Sequence, residues 1–271
     1  MKPKHLSIPY VGWLAVFVVA PIILVFFYAF TNSAGEFTFD NFARMGNFTT
    51  VFLNSFRLAI IATFICIILG YPVAYILAKE RRRVQRIMLM LIMLPLWMNF
   101  LLRTYAWMSI LENTGLLNRF FAFVGLPQVR IINTQIAVVI GMVYNFLPFM
   151  ILPIYSVIVK IDKNLFEAAQ DLGANSASVF IKLIFPLSLP GILSGVTMVF
   201  VPAVSTFVIT QLLGGGMIIL LGDLIEMQFL GTAYNPHLGS AISLVMMAIV
   251  IAFVVIMNKF GDGGEGKTVR L

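Results

Sequence analysis

Glu167-Ala168-Ala169-Gln170-Asp171-Leu172-Gly173 is a short helix-forming run with two carboxylates, closed by a glycine, and nine residues later it is followed by Leu183-Ile184-Phe185-Pro186. Ala and Glu favour helix, and a glycine beyond the last turn supplies a left-handed stop. Asp162 or Asn164 can cap the start, and Leu165, Phe166, Ala169 and Leu172 recur at helical spacing. Asn175 or Ser176 can cap a second short helix through Val179, Phe180 and Leu183, and Pro186 and Pro190 mark the start of the next apolar segment. The chemistry on offer is recognition rather than bond making. A charged, capped helix–turn–helix lies between two long apolar segments, where a soluble partner can grip it. A helix resting on anionic headgroups usually carries Lys or Arg on its polar face, whereas Glu167 and Asp171 would be repelled there.

The other reactive residue types do not assemble a catalytic site. No G-x-x-x-x-G-K-[ST] loop is present, and Gly214-Gly215-Gly216 runs on into Met217 and Ile218 without a lysine, so it reads as a bend or a close helix approach. Cys66 is the one cysteine and can form no internal disulfide. Asp223 and Glu226, three residues apart in a loop from Met217 to Leu238 that lacks Lys and Arg, can share a helix face.

These residues sit in a chain that is 61% apolar and 11% charged, with a mean hydropathy of +1.00. Soluble domains average about 45–50% apolar and about 25% charged, so the composition belongs to a polytopic membrane protein. Six stretches reach the roughly 20 apolar residues that a spanning helix needs. They run from Ile8 to Phe30, Leu53 to Ala78, Ile87 to Leu111, Ile136 to Val159, Leu187 to Leu213 and Leu238 to Asn258. The first is long for a signal peptide and no clear cleavage site follows it, so it is read as a span. The organisation expected is a first helix in 1–30, a core of five helices in 53–258 enclosing the loop 160–186, and a flexible Gly-rich tail in 259–271.

The formal net charge is +7. Thirteen Lys and Arg residues flank one set of span ends, including Lys79, Arg81–Arg83, Arg86, Lys160, Lys163 and Lys182, and only Arg44, Arg57, Arg119 and Arg130 flank the other. The positive-inside rule therefore places both termini and the Glu167 loop in the cytoplasm. Arg103 alone falls inside a span, toward its outer end, where it would snorkel or pair locally.

The spacing Glu-Ala-Ala, three residues, Gly, nine residues, then the apolar stretch ending in Pro resembles the EAA loop of ABC-importer permeases. Leu183 and Phe185 stand where Ile and Leu are usual. Gly70-Tyr71-Pro72, Leu94-Pro95-Leu96-Trp97-Met98-Asn99, Arg103-Thr104-Tyr105-Ala106-Trp107 and Asn145-Phe146-Leu147-Pro148-Phe149 extend the resemblance to polyamine-type permeases. It implies an all-α, MetI-like type I permease with six transmembrane helices in a bacterial inner membrane. It also implies that Glu167, Ala168, Ala169, Asp171, Leu172, Gly173, Leu183 and Pro186 meet an ATPase dimer, which itself binds the ATP. A second permease subunit, an extracytoplasmic binding protein and lipid are the other implied partners, and neither a cofactor of the chain's own nor a metal is expected.

A polyamine path should offer acceptors and aromatic faces, since cation–π contacts hold an ammonium by about 0.5–2 kcal/mol and still release it. Trp97, Asn99, Tyr105, Trp107, Tyr144 and Asn145 are the candidates. Pro95, Pro148, Pro153 and Pro202 should break helices locally and expose carbonyls beside them. Asp223 and Glu226 would receive the cation outside or meet a basic patch on the binding protein. Iron, thiamine, phosphate and sulfate permeases share the loop, but an anion importer should have basic cavity residues. An ion-coupled carrier usually buries Asp, Glu or His in its spans, and no Asp or Glu falls inside a span here.

Overall fold

The computed structural model describes residues 8–262 except 163, 166–168, 170, 172 and 232. The fold is helical, with one isolated bridge between Thr31 and Phe37 among the described residues. The first span comprises α1 (Ile8–Leu14), a π-helical segment (Ala15–Val19) and α2 (Ala20–Ala29). A loop and α3 (Asp40–Arg44) lead through a 3-10 turn into the 31-residue α4 (Thr49–Lys79). Next come α5 (Arg82–Trp97), α6 (Phe100–Leu111), α7 (Leu116–Val124) and α8 (Gln135–Ile158). After the loop, α9 (Ser176–Val179) runs through a π segment (Phe180–Ile184) into α10 (Phe185–Ser205). The chain closes with α11 (Val208–Leu213), α12 (Leu221–Phe229) and α13 (Pro236–Asp262).

Among the described residues, five continuous helical stretches are long and apolar enough to cross a membrane, and the pair α5 plus α6–α7 makes a sixth when counted as one span. The third span is thus not the straight Ile87–Leu111 helix expected from hydropathy, because it bends by 92° between Trp97 and Phe100. Hydropathy counts apolar residues but cannot see that Met98 is extended and that Asn99 starts a new helix.

Of the four prolines expected to break helices, Pro95 lies just before the bend and offers its carbonyl there, whereas the other three do not break theirs. Pro148 and Pro153 lie within an unbroken α8, and Pro202 lies within α10. Pro21 and Pro186 each follow a π segment, and the residue just before each proline donates to a carbonyl five residues back: Ala20 to Ala15 and Phe185 to Phe180. A proline cannot donate to the carbonyl four residues before it, and the widened turn accommodates that missing bond without a break. The helix starting at Ser176 therefore continues into the fifth span, where the sequence predicted a separate short helix. The fifth span ends earlier than expected, at Ser205, and α11 is a distinct element beyond Thr206 and Phe207. Lys259–Asp262, assigned to a flexible tail, extends α13, and the remainder of that tail lies outside the described residues.

The core is the crossing of α4, α8 and α10. Met150 on α8 is fully buried between two glycines. A Cβ on Gly70 of α4 would lie 3.0 Å from its Cγ, and one on Gly195 of α10 would lie 2.7 Å from its Sδ. A Cβ on Gly191 would lie 2.9 Å from the Pro153 carbonyl oxygen. Small residues let apolar helices approach closely where there is no water to drive them together.

Candidate functional site

Glu167, Ala168 and Leu172 lie outside the described residues, so the structure reports on the loop through its neighbours. Asp162 Oδ1 accepts from the Asn164 amide at 3.0 Å, capping the start. At the other end Gly173 has φ +81, and the Ala174 amide donates to the Ala169 carbonyl at 3.0 Å. That six-to-one bond around a left-handed glycine is a Schellman stop, which ends the helix and turns the chain outward. Asp171 and Gly173 are exposed, and Ala169 is half-buried. Asn175 Oδ1 accepts from the Ser178 amide at 2.8 Å and caps α9.

The loop returns to the membrane on an aromatic seat. Phe180 meets Tyr75 at 5.1 Å and Tyr71 at 5.7 Å, both edge-on, and Phe185 lies 5.9 Å from Tyr71. The Tyr71 hydroxyl is 2.9 Å from that of Ser188 on α10. Leu183 is half-buried in this turn and Pro186 is exposed. The segment Ser176–Ile184 thus rests directly on α4. Sequence reasoning noted Tyr71 only as part of a motif and missed Tyr75. The signal for both lies in their spacing of four, which puts two rings on one face of α4.

The second cluster surrounds the break in the third span. Asn99 Oδ1 accepts from the Leu101 amide at 2.9 Å and the Leu102 amide at 3.4 Å, so Asn99 is the cap of α6. Arg103, one turn on, does not snorkel and meets no carboxylate among the described residues. It is buried, and its Nη1 donates to the Pro95 carbonyl at 2.6 Å across the break. Its Nε has no partner among the described residues. Trp97 is 74% exposed beside the break, and Tyr105 is exposed on α6. Trp107 and Tyr144 form an edge-on pair at 5.1 Å between α6 and α8. Asn145 is buried and donates to the Gly141 carbonyl at 2.8 Å, while its Oδ1 has no partner among the described residues. The structure thus places Trp97 and Asn99 together at an open bend, pairs Trp107 with Tyr144, leaves Tyr105 on an outer face and buries Asn145.

Asp223 is not the surface cation acceptor expected. It is 4% exposed, with the Leu220 amide donating to it at 2.9 Å and the Thr210 hydroxyl 2.6 and 2.8 Å from its two oxygens. Loop position predicted solvent, but α12 folds back so that the Leu221 amide donates to Ser55 of α4 at 2.8 Å. Burial pushes the Asp223 carboxyl up to about 6, against the pull of the Thr210 and Leu220 bonds. The Thr210 hydroxyl also lies 2.6 Å from the Phe207 carbonyl. One hydroxyl hydrogen cannot serve both, and a protonated Asp223 donating to Thr210 satisfies all three groups. Glu226 is half-buried and accepts from Gln211 at 3.0 Å. Gly215 and Gly216, with φ +60 and +71, turn the chain between α11 and α12, and a side chain at Gly215 would collide with Asn133.

Residues 68–262 match the family described as the binding-protein-dependent transport system inner membrane component. The chain belongs to this family. The PotB permease protein of the spermidine/putrescine transport system of Haemophilus influenzae is 40% identical over 261 residues, covering 92% of this chain and 91% of that one. The fold matches a chain of a bacterial ABC transporter that imports the acidic polysaccharide alginate, with a TM-score of 0.81 at 16% identity over 96% and 94% of the two chains. It also matches a chain of an alginate transporter in complex with a periplasmic protein carrying an alginate pentasaccharide, with a TM-score of 0.80 at 15% identity over 94% and 92%. These two likenesses concern the fold. This permease is therefore a multi-pass inner-membrane subunit of the type I importer architecture, and it works with other proteins rather than as a catalyst.

Proposed function

We propose that this permease moves polyamines, spermidine or putrescine, inward as one half of an ATP-driven importer. The observation that carries the reading is the 40% identity to the Haemophilus influenzae spermidine/putrescine permease along nearly the full length of both chains. A second permease subunit supplies the other half of the path, and an extracytoplasmic protein delivers the polyamine. Both termini and the loop 160–186 face the cytoplasm, as the Lys and Arg distribution requires. There an ATPase dimer that holds the ATP meets the Glu167 helix, with Ala168, Ala169, Asp171, Leu172 and Gly173 forming the contact and Leu183 and Pro186 its base.

The mechanism follows from the two clusters. Closure of the ATPase dimer moves the segment, the Phe180 seat passes that motion to Tyr71 and Tyr75 on α4, and the α4–α8–α10 crossing turns as a body. The bend at Trp97 and Asn99 and the Trp107–Tyr144 pair supply aromatic faces and acceptors for an ammonium chain without an anionic trap. The test is uptake of radiolabelled spermidine by a strain whose own polyamine importers are deleted, carrying this chain with its neighbouring transport genes. Saturable uptake that putrescine competes for is expected, and uptake no higher than in the deletion strain would refute the polyamine reading.

A further inference from the structure

A cavity of about 760 Å³ opens between the α4–α5 turn and the end of α8, at the end of the molecule where the loop 160–186 begins. Its wall carries Lys79, Arg81, Arg82 and Lys160, with Glu80 as the one carboxylate among the described lining residues. The floor is built rather than accidental. Gln85 Nε2 donates to the carbonyls of Ala78 and Glu80 at 3.2 and 2.9 Å, and Gln85 Oε1 accepts from the Tyr155 hydroxyl at 3.1 Å, joining α5 to α8. Lys79 Nζ stands 4.1 Å above the Tyr75 ring. Arg81 is extended and no side chain caps α5, so the free amides of the first turn add their positive end of the helix dipole to the same concavity.

Headgroup contact by scattered basic residues needs only a surface. Here the cations come from two places eighty residues apart in sequence and converge on a volume fastened by Gln85 and Tyr155. A cationic cargo would be repelled, so the cavity is no part of the polyamine path. We propose that this cavity binds a phosphate group, carried either by an anionic lipid whose headgroup reaches it from the inner leaflet or by a soluble phosphate compound of the cytoplasm. Lys160 and Ile161 belong both to its wall and to the root of the loop. An occupant therefore fastens the α4–α5 turn to the segment that meets the ATPase, and gives the anion a hold on transport.

The test uses the purified full complex in neutral detergent and follows its melting temperature against dioctanoyl phosphatidylglycerol and, separately, inorganic phosphate at constant ionic strength. A rise with lipid alone assigns a headgroup, and a rise with both assigns a phosphate site open to the cytoplasm. Either result supports the proposal if the R81Q/K160Q pair raises the half-effect concentration roughly 30-fold while R83Q/R86Q, which removes the same charge outside the cavity, leaves it unchanged. Where R81Q/K160Q fails to assemble, K160Q alone is expected to raise it roughly 5-fold. No rise with either compound, or equal loss in the two pairs, overturns the proposal.

Discussion

Two parts of this permease contrast in how they are held. The α4–α8–α10 crossing is sealed by glycines against Met150 and Pro153, with Val138, Met142, Met150 and Ile154 of α8 fully buried. The broken third span is the opposite, since α5 has no buried residue, and the bend is held by one Asn cap and one arginine bond to a carbonyl. The difference separates a scaffold from a moving or partnered part. Helices packed to contact transmit motion as a body, whereas a helix with no buried face either meets lipid and other subunits or changes place. The large exposed residues of α5, such as Met90, Leu91 and Trp97, are where the proposed second permease subunit would cover apolar surface.

The contrast can be broken by forcing the scaffold apart. Gly191→Val puts a side chain onto the backbone of Pro153 and Ile154 and should cost about 3 kcal/mol or more by overpacking. Fluorescence-detected size exclusion should show loss of the monodisperse complex, and a normal profile would mean that the crossing is looser than described. At the bend the expected effect is on transport instead. Arg103→Leu removes a charged hydrogen bond of about 1.5–3 kcal/mol but also the orphaned Nε, so assembly should survive while spermidine uptake falls. Collapse of the complex would make Arg103 a scaffold residue. Trp97→Ala strips an exposed ring and should lower uptake further than it lowers complex yield. Equal losses would assign Trp97 to packing against the partner.

The smallest effect concerns Asp223, which belongs to neither part. Its carboxyl is raised to about 6, so the folded state holds the proton more firmly than the unfolded chain. The stabilisation is full below the ordinary carboxylate range and is lost as pH rises through about 6. A melting temperature that falls between pH 4 and 7, by the equivalent of roughly 2 kcal/mol, with the slope removed in Asp223→Asn, is the expected result. A slope unchanged in the variant would assign it to other groups.

How much of this was legible in the sequence follows from which signals are local. The spans were legible because hydropathy integrates over twenty residues, and Gly173 was legible because a glycine after a helix-forming run has one common use. The 92° break was legible only in part: Pro95 signals a local break and the bend follows it, but the size of the bend and the role of Asn99 as the cap of α6 carry no local signal beyond one asparagine. The burial of Asp223 depends on α12 folding onto Ser55, a contact 166 residues away that no local pattern encodes. The expected breaks at Pro148, Pro153 and Pro202 do not form because α8 and α10 carry these prolines within continuous helix, and tertiary packing of that kind leaves no local signature beside a proline.

In the proposed mechanism, ATP-driven polyamine movement reaches this subunit through the glycine-stopped segment and the Phe180 seat. The most direct measurement is uptake of radiolabelled spermidine into proteoliposomes holding the purified complex and its binding protein, with wild type beside Gly173→Val. The left-handed Gly173 penalises a β-branched residue by about 1–2 kcal/mol in the loop alone, so the complex should still assemble. Wild type should show ATP-dependent accumulation, and the variant should show ATP hydrolysis that no longer responds to the loaded binding protein together with little accumulation. Undiminished, ATP-dependent uptake by an assembled Gly173→Val complex would contradict that mechanism.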